Sequence, residues 1–318
     1  MTTRPATRHR RGLRGRDFLS IDDCSPAEIR SLLALARTIK SRPAGYRKKL
    51  DGKMMALIFE KPSLRTRTTF TVGIKQLGGD SLLLTPADIN LGKRESVEDV
   101  ARNLERMVDG IMIRTFAHAV CTSLADHACV PVINGLTDRE HPCQAMADFM
   151  TILETKKSLR GLTIAYVGDG NNVANSLVLA AAKLGAAIAL GTPAGYSVDG
   201  EILARARAIA RETGARIATT EDPREAVAGA GVVYTDTWTS MGQEEEAAAR
   251  RRVFAPYQVN RALFAHAAPG AVFMHCLPAH RGEEVTDEII DSPASVVFQQ
   301  AENRLHVQKA IMFELLRA

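Results

Sequence analysis

Short apolar runs alternate with longer stretches of helical period along most of this chain. The first helical signal is CSPAEIRSLLALARTIK, residues 24–40. Ser25 is a good N-cap, Pro26 suits the first helical position and Glu28 completes a capping box. Ile29, Leu32, Leu33 and Ala36 then fall on one helix face. Strands are predicted at MMALIF (54–59), DSLLL (80–84), GIMIR (110–114) and VPVING (130–135). After a helix over HPCQAMADFMTILET (141–155), they continue as TIAYVG (163–168), AIALG (187–191), VVYTD (232–236), AVFMHCL (271–277) and VVFQ (296–299). Apolar strands alternating with helices predict an α/β protein whose parallel sheets carry helices on both faces.

The polar run KKSLRG after the long helix marks a domain boundary near residue 155. The expected organisation is a basic tail over 1–16, a first domain over 17–155, a second over 156–300 and a closing helix over 301–318. That helix could dock on either domain. Open parallel sheets bind ligands beyond the carboxyl ends of their strands. Seven chemically interesting positions fall there: 63–67 after MMALIF, Arg114, His141 with Gln144, Asn171 with Asn172, Asp236, Cys276, and Arg304 after VVFQ. Their recurrence predicts one composite active site in a cleft between the two domains.

Composition narrows the class. With 46% hydrophobic and 24% charged residues, the chain has the make-up of a soluble globular protein. No apolar run approaches the ~18–20 residues of a membrane span, and the N-terminus lacks the apolar core of a signal peptide. The formal charge is +5, and six Arg with no acid stand among the first sixteen residues. The basicity therefore belongs to the tail, and the body is close to neutral. The tail reads as a disordered extension, a targeting presequence or a nucleic-acid arm. No aromatic residue interleaves its arginines to stack on bases. Five cysteines, never in CxxC spacing, argue for a reducing compartment over a disulfide framework.

The densest chemistry is FEKPSLRTRTTF, residues 59–70. Thr66, Phe70, Ile74 and Leu77 follow helical spacing, so SLRT forms the first turn of a helix entered from a strand. Free N–H groups at such a start, with the Ser63 and Thr66 hydroxyls and the Arg65 guanidinium, fit a phosphate. An exposed helix start with solvated arginines is the plain alternative. HPCQ (141–144) offers an imidazole and an amide, and HCLPAHRGEE (275–284) a thiol after a buried strand. Read as a zinc set, His141, Cys143, His275 and Cys276 lack the usual paired spacing. GDGNN (168–172) suggests a dinucleotide fingerprint, but Val173 replaces the third Gly and no acid stands about 20 residues on. DTWTSMG (236–242) places an acid at a strand end before a short loop, which could equally be a helix cap.

Together these stretches resemble the carbamoyltransferase family, in its ornithine-using branch. FEKPSLRTR resembles the family's F-x-x-x-S-x-R-T-R, HPCQ its H-P-x-Q, and DTWTSMG and HCLPAHRGEE its acceptor and cysteine loops. The resemblance implies transfer of a carbamoyl group from carbamoyl phosphate to the δ-amine of L-ornithine, giving L-citrulline and phosphate, within arginine biosynthesis. It implies no metal or cofactor, no nucleic-acid or membrane partner, a cytoplasmic location and a homotrimer. Carbamoyl phosphate would be held by Ser63, Leu64, Arg65, Thr66, Arg114, His141, Gln144, Cys276, Leu277 and Arg304, with Asn90 of INLGKRES serving a neighbouring subunit. Position 64 is usually Thr in this motif, so Leu64 keeps a backbone N–H but no hydroxyl. Ornithine would be held by Asn172, Asp236, Ser240 and Met241. Arg65, Arg114, His141, Asp236 and Cys276 would carry the chemistry. Putrescine and N-acetylornithine are the alternative acceptors.

Overall fold

A computed structural model describes residues 12–239, 242 and 244–317. They form two compact units, one made of the residues up to Met146 with those from Arg304 onward, the other of Ala147–Asn303.

The first unit contains α1 (Pro26–Ser41), β1 (Met54–Phe59), α2 (Leu64–Gln76), β2 (Asp80–Leu84), α3 (Val97–Leu104), β3 (Gly110–Arg114), α4 (His118–His127), β4 (Val132–Leu136) and the start of α5 (Pro142–Lys156). The capping box of α1 is present in full: Ser25 Oγ accepts from Glu28 N, and Glu28 Oε2 from Ser25 N. The sheet order is β2-β1-β3-β4, all parallel. β1 and β3 are central and buried almost throughout, which requires the continuous apolar runs MMALIF and GIMI. One core cluster joins Ile58, Ile111 and Ile113 to Leu124 of α4 and Val100 of α3.

The second unit contains β5 (Thr163–Val167), α6 (Asn172–Leu184), β6 (Ala187–Gly191), α7 (Gly200–Thr213), β7 (Arg216–Thr220), α8 (Pro223–Val227), β8 (Val232–Thr235), α9 (Ala247–Phe254), α10 (Arg261–Phe264), β9 (Val272–His275), α11 (Asp287–Ile290) and the start of α12 (Val297–Leu316). Its five parallel strands run β7-β6-β5-β8-β9. Two parallel sheets flanked by helices are the expected architecture.

Three features differ from the sequence reading. VVFQ is no strand: Val297 begins α12, so Arg304 lies in a helix and not beyond a strand end. The strand-like signal has a source one residue earlier, where Val296 N donates to Phe273 O. Helical spacing then takes over, burying Val297, Gln300, Arg304 and Val307 while Phe298 faces out. β7 is a strand that RIATT does not advertise, because it is an edge strand with alternating, mostly exposed side chains. By packing, the first compact unit ends inside α5, at Met146. Finally, residues 12–16 do not belong to a disordered tail. Leu13 is buried, Gly15 N donates to Leu315 O and Arg16 pairs with Glu28. Residues 1–11 of the basic tail lie outside the described residues.

The closing residues of α12 pack within the first unit. A Cβ on Gly73 of α2 would meet Met312 Cε at 2.8 Å, so glycine allows the two helices their close approach. Lys309 Nζ donates to Gln76 Oε1 at 2.8 Å beside it. Truncating Phe70, fully buried on the same face of α2, should cost about 3–5 kcal/mol.

Candidate active site

In the first unit, strand register gathers the site. Phe59 of β1 pairs with Arg114 of β3, and Arg114 with Leu136 of β4. The residues following these three ends are therefore neighbours: the 60–66 turn, Arg114 and the segment leading to His141. Ser63 is the N-cap of α2, its Oγ accepting from Thr66 N at 3.2 Å. That hydroxyl helps form the helix start rather than standing apart from it. Thr66 is fully buried, and its Oγ1 accepts from Arg304 Nη2 at 3.0 Å. Arg304 Nη1 donates to Gln144 Oε1 at 3.1 Å. One guanidinium thus ties the first turn of α2 to the first turn of α5.

His141 is buried beside this cluster. Its imidazole is held well below its ordinary pKa, first by desolvation and then by Arg304, Arg114 and Arg65. It is therefore a neutral imidazole at pH 7, able to donate a hydrogen bond without adding charge. Arg114 and Arg304 are buried beside it, and this cationic surround suits an anionic ligand. The helix start supplies N–H groups and positive dipole for the same ligand.

Leu64 and Arg67 lie on the opposite face of α2. With Phe59, Thr71, Leu83 and Pro86 they line a cavity of about 740 Å³. Leu64 is 77% exposed there, so its side chain takes no part in the Arg cluster. Asn90 is exposed, with a left-handed φ of 41°.

In the second unit, the register again sets the chemistry. Thr235 of β8 pairs with His275 of β9, which brings the next residues, Asp236 and Cys276, side by side. Cys276 Sγ donates to Asp236 Oδ1 at 2.9 Å. Asn171 Nδ2 donates to Asp236 Oδ2 at 2.8 Å, while Asn171 Oδ1 caps α6 by accepting from Val173 N. Both carboxylate oxygens are thus held from two strand ends. Gly170 is required in this turn, since a Cβ would lie 2.3 Å from Val198 N. Asn172 is the first residue of α6. Ser240 and Met241 lie outside the described residues.

The segment after Asp236 is anchored by Arg250 of α9. Its Nε donates to Trp238 O and its Nη2 to the Asp169 carboxylate. Tyr196 and Phe254 flank the guanidinium. The turn after β9 is held by His275, whose Nδ1 accepts from Leu277 N at 2.8 Å and whose Nε2 faces Glu284 Oε1 at 3.1 Å. Leu277 has a left-handed φ of 58°. Among the described residues, Asp236, His275 and Cys276 lie close enough to share a metal ion, as do His280, Glu283 and Glu284. In the first group both imidazole nitrogens are already engaged, and thiol and carboxylate are bonded to each other.

The sequence reading missed Asn171 as a partner of Asp236, and Arg250. An Asn before a helix reads fully as a cap, and nothing local shows that its amide reaches 65 residues along the chain. Arg250 sits in the run ARRRVF, which reads as a solvated helix.

The Aspartate/ornithine carbamoyltransferase family models match here: the carbamoyl-P binding domain over residues 16–154 and the Asp/Orn binding domain over 160–315. The chain belongs to the aspartate/ornithine carbamoyltransferase family. The chain is 53% identical over 306 residues to the ornithine carbamoyltransferase of Anoxybacillus flavithermus, covering 96% of this chain and 98% of that one. It is 54% identical over 309 residues to that of Carboxydothermus hydrogenoformans, covering 95% and 98%. The solved ornithine carbamoyltransferase from Pyrococcus furiosus aligns with a TM-score of 0.93 at 50% identity, covering 96% of this chain and 98% of that chain. The carbamoyl-P binding domain so matched holds the strand ends from which Arg114 and His141 project.

Proposed function

We propose that this carbamoyltransferase moves the carbamoyl group of carbamoyl phosphate onto the δ-amine of L-ornithine, releasing phosphate and L-citrulline. The observation that carries the assignment of residues is the contrast in charge. One unit surrounds a neutral imidazole with guanidinium groups at a helix start. The other presents a carboxylate bonded to a thiol and an amide. The first suits a doubly charged phosphate and the second an amino acid's ammonium.

In this reading Arg65 and Arg114 hold the phosphate with the N–H groups of Ser63 to Thr66. His141 and Arg114 donate to the carbamoyl oxygen, where negative charge develops as the amine adds. Gln144, Arg304 and the Cys276 and Leu277 carbonyls orient the carbamoyl amide. Asn172, Asp236, Ser240 and Met241 bind ornithine. The amine attacks as the free base, although an alkylammonium has a pKa of about 10.4. Cationic groups around the phosphate disfavour the ammonium form. Asp236 or Cys276 takes the proton that the adding nitrogen loses, and the leaving phosphate departs with its charge matched by arginine.

We propose further that the enzyme is a homotrimer in arginine biosynthesis and works in the cytoplasm. The apolar cavity beside exposed Leu64 supports self-association, and five free cysteines suit a reducing compartment. No described helix is long and apolar enough to cross a membrane. The deciding assay supplies carbamoyl phosphate with ornithine, N-acetylornithine, putrescine or aspartate. Ornithine should be carbamoylated at least tenfold faster than the rest. Preference for another amine would reassign the acceptor site, and light scattering would give the subunit number.

A further inference from the structure

Gln300, on the first turn of α12 and fully buried, makes three hydrogen bonds. Its Nε2 donates to Asp148 Oδ1 at 2.7 Å and to Tyr234 Oη at 3.1 Å. Its Oε1 accepts from His275 N at 3.0 Å. Tyr234 in turn donates to Asp148 Oδ2 at 3.2 Å. All four residues are buried within the second unit.

The partners fix which way the amide points. A flipped Gln300 would set its oxygen against the Asp148 carboxylate and its NH₂ against a backbone N–H, repulsive on both sides. Burial and Asp148 hold the Tyr234 phenol well above its ordinary pKa, so it remains a donor. Asp148 on α5 therefore locks Gln300, and Gln300 grips the peptide N–H of the residue before Cys276. The same turn is held from its far side by Glu284 through the His275 ring and Leu277 N. A sheet partner does not supply the Gln300 bond, since β9 lies at the sheet edge.

We propose that Gln300, held by Asp148 and Tyr234, is a positioning residue for the Cys276–Leu277 turn: it sets where the thiol and the two carbonyls stand for carbamoyl transfer. This rests on the role given above to that turn. Gln300 touches no reacting atom and acts only through His275 N.

The test uses Gln300→Met, which keeps length and volume and loses all three bonds, beside Tyr234→Phe, which spares the bond to His275. Ile209→Ala, a buried change on α7, serves as the control for lost stability alone. Two readouts are compared: citrulline formation, and the alkylation rate of Cys276 followed by peptide mass mapping. Gln300→Met should lower turnover by ~10- to 100-fold, the scale of a small misplacement of reacting groups. The Cys276 alkylation rate should change by at least about threefold. Tyr234→Phe should move both readouts the same way by a smaller factor. The proposal is overturned if folded Gln300→Met matches the unmutated enzyme in both readouts, or if Ile209→Ala reproduces its losses. Should Gln300→Met not fold, an unchanged Tyr234→Phe overturns it equally. Alkylation needs no substrate, so a wrong acceptor assignment would appear in the unmutated enzyme's assay and leave this readout intact.

Discussion

The two units build their polar clusters from the same backbone device and opposite chemistry. In each, adjacent parallel strands end in register, Phe59 beside Arg114 and Thr235 beside His275, and the residues that follow become neighbours. In the first unit those ends lead to guanidinium groups, a neutral imidazole and a helix start. In the second they lead to a carboxylate, a thiol and an amide. The first half gathers positive charge, with Arg114 and Arg304 buried beside the helix start. The second satisfies its own carboxylate with two donors. The fold therefore decides where polar groups meet, and residue identity decides which charge they welcome.

Breaking the first half should have the largest effect. Arg114→Ala and Arg65→Ala are each expected to cut turnover by ~10²-fold or more, the scale for losing one oxyanion donor. Arg114 should cost at least as much as Arg65, since the proposed mechanism gives it both phosphate and carbonyl. Steady-state rates on variants with unchanged circular dichroism check this, and retained activity would displace the phosphate site.

Breaking the second half should be selective. Asp236→Asn preserves shape and removes the charge proposed to pair with the α-ammonium. Ornithine use should fall by ~10²-fold, the effect of unpairing a desolvated charge, with carbamoyl-phosphate affinity by calorimetry nearly unchanged. Equal loss of both ligands would make Asp236 a structural residue. Asn171→Ala should act more weakly in the same direction. It frees one carboxylate oxygen and removes a helix cap worth about 1 kcal/mol, so ornithine kinetics should worsen by ~5- to 10-fold and the unfolding midpoint should drop.

The two halves should also part on acidification. The folded-state pKa of His141 lies below its unfolded value, so its contribution to stability is present above about pH 6.5 and is lost as pH falls toward the folded pKa. His118, lowered by burial and Arg139, has the same sign. Urea midpoints at pH 7.5 and 5.5 should therefore fall with acid, and His141→Gln should reduce that fall. The smallest effect is expected at position 64. Leu64→Thr restores a hydroxyl on the far face of α2 and should change turnover less than about twofold. A larger change would mean that the side chain reaches the donor.

Most strands were legible because buried parallel strands demand continuous apolar runs, as MMALIF and GIMIR show. RIATT was not, because an edge strand needs no such run. VVFQ misled because an apolar β-branched pair fits a strand or a buried helix start equally well. The residues that would contact the ligands were readable as motifs. Their supports were not: Asn171 looked only like a cap, Arg250 like surface charge and Gln300 like any polar helix residue.

That division has a physical cause. The sequence by itself determined the alternation of elements, the helix start at Ser63, and the identity of the groups offered for phosphate and amine, because these depend on local periodicity and side-chain chemistry. Only the tertiary structure decided that Arg304 of α12 reaches Thr66 and Gln144, that Cys276 donates to Asp236, and that residues 12–16 dock beside Leu315. Those pairings join positions far apart in the chain. They follow from strand register and helix packing, which no local pattern of residues records.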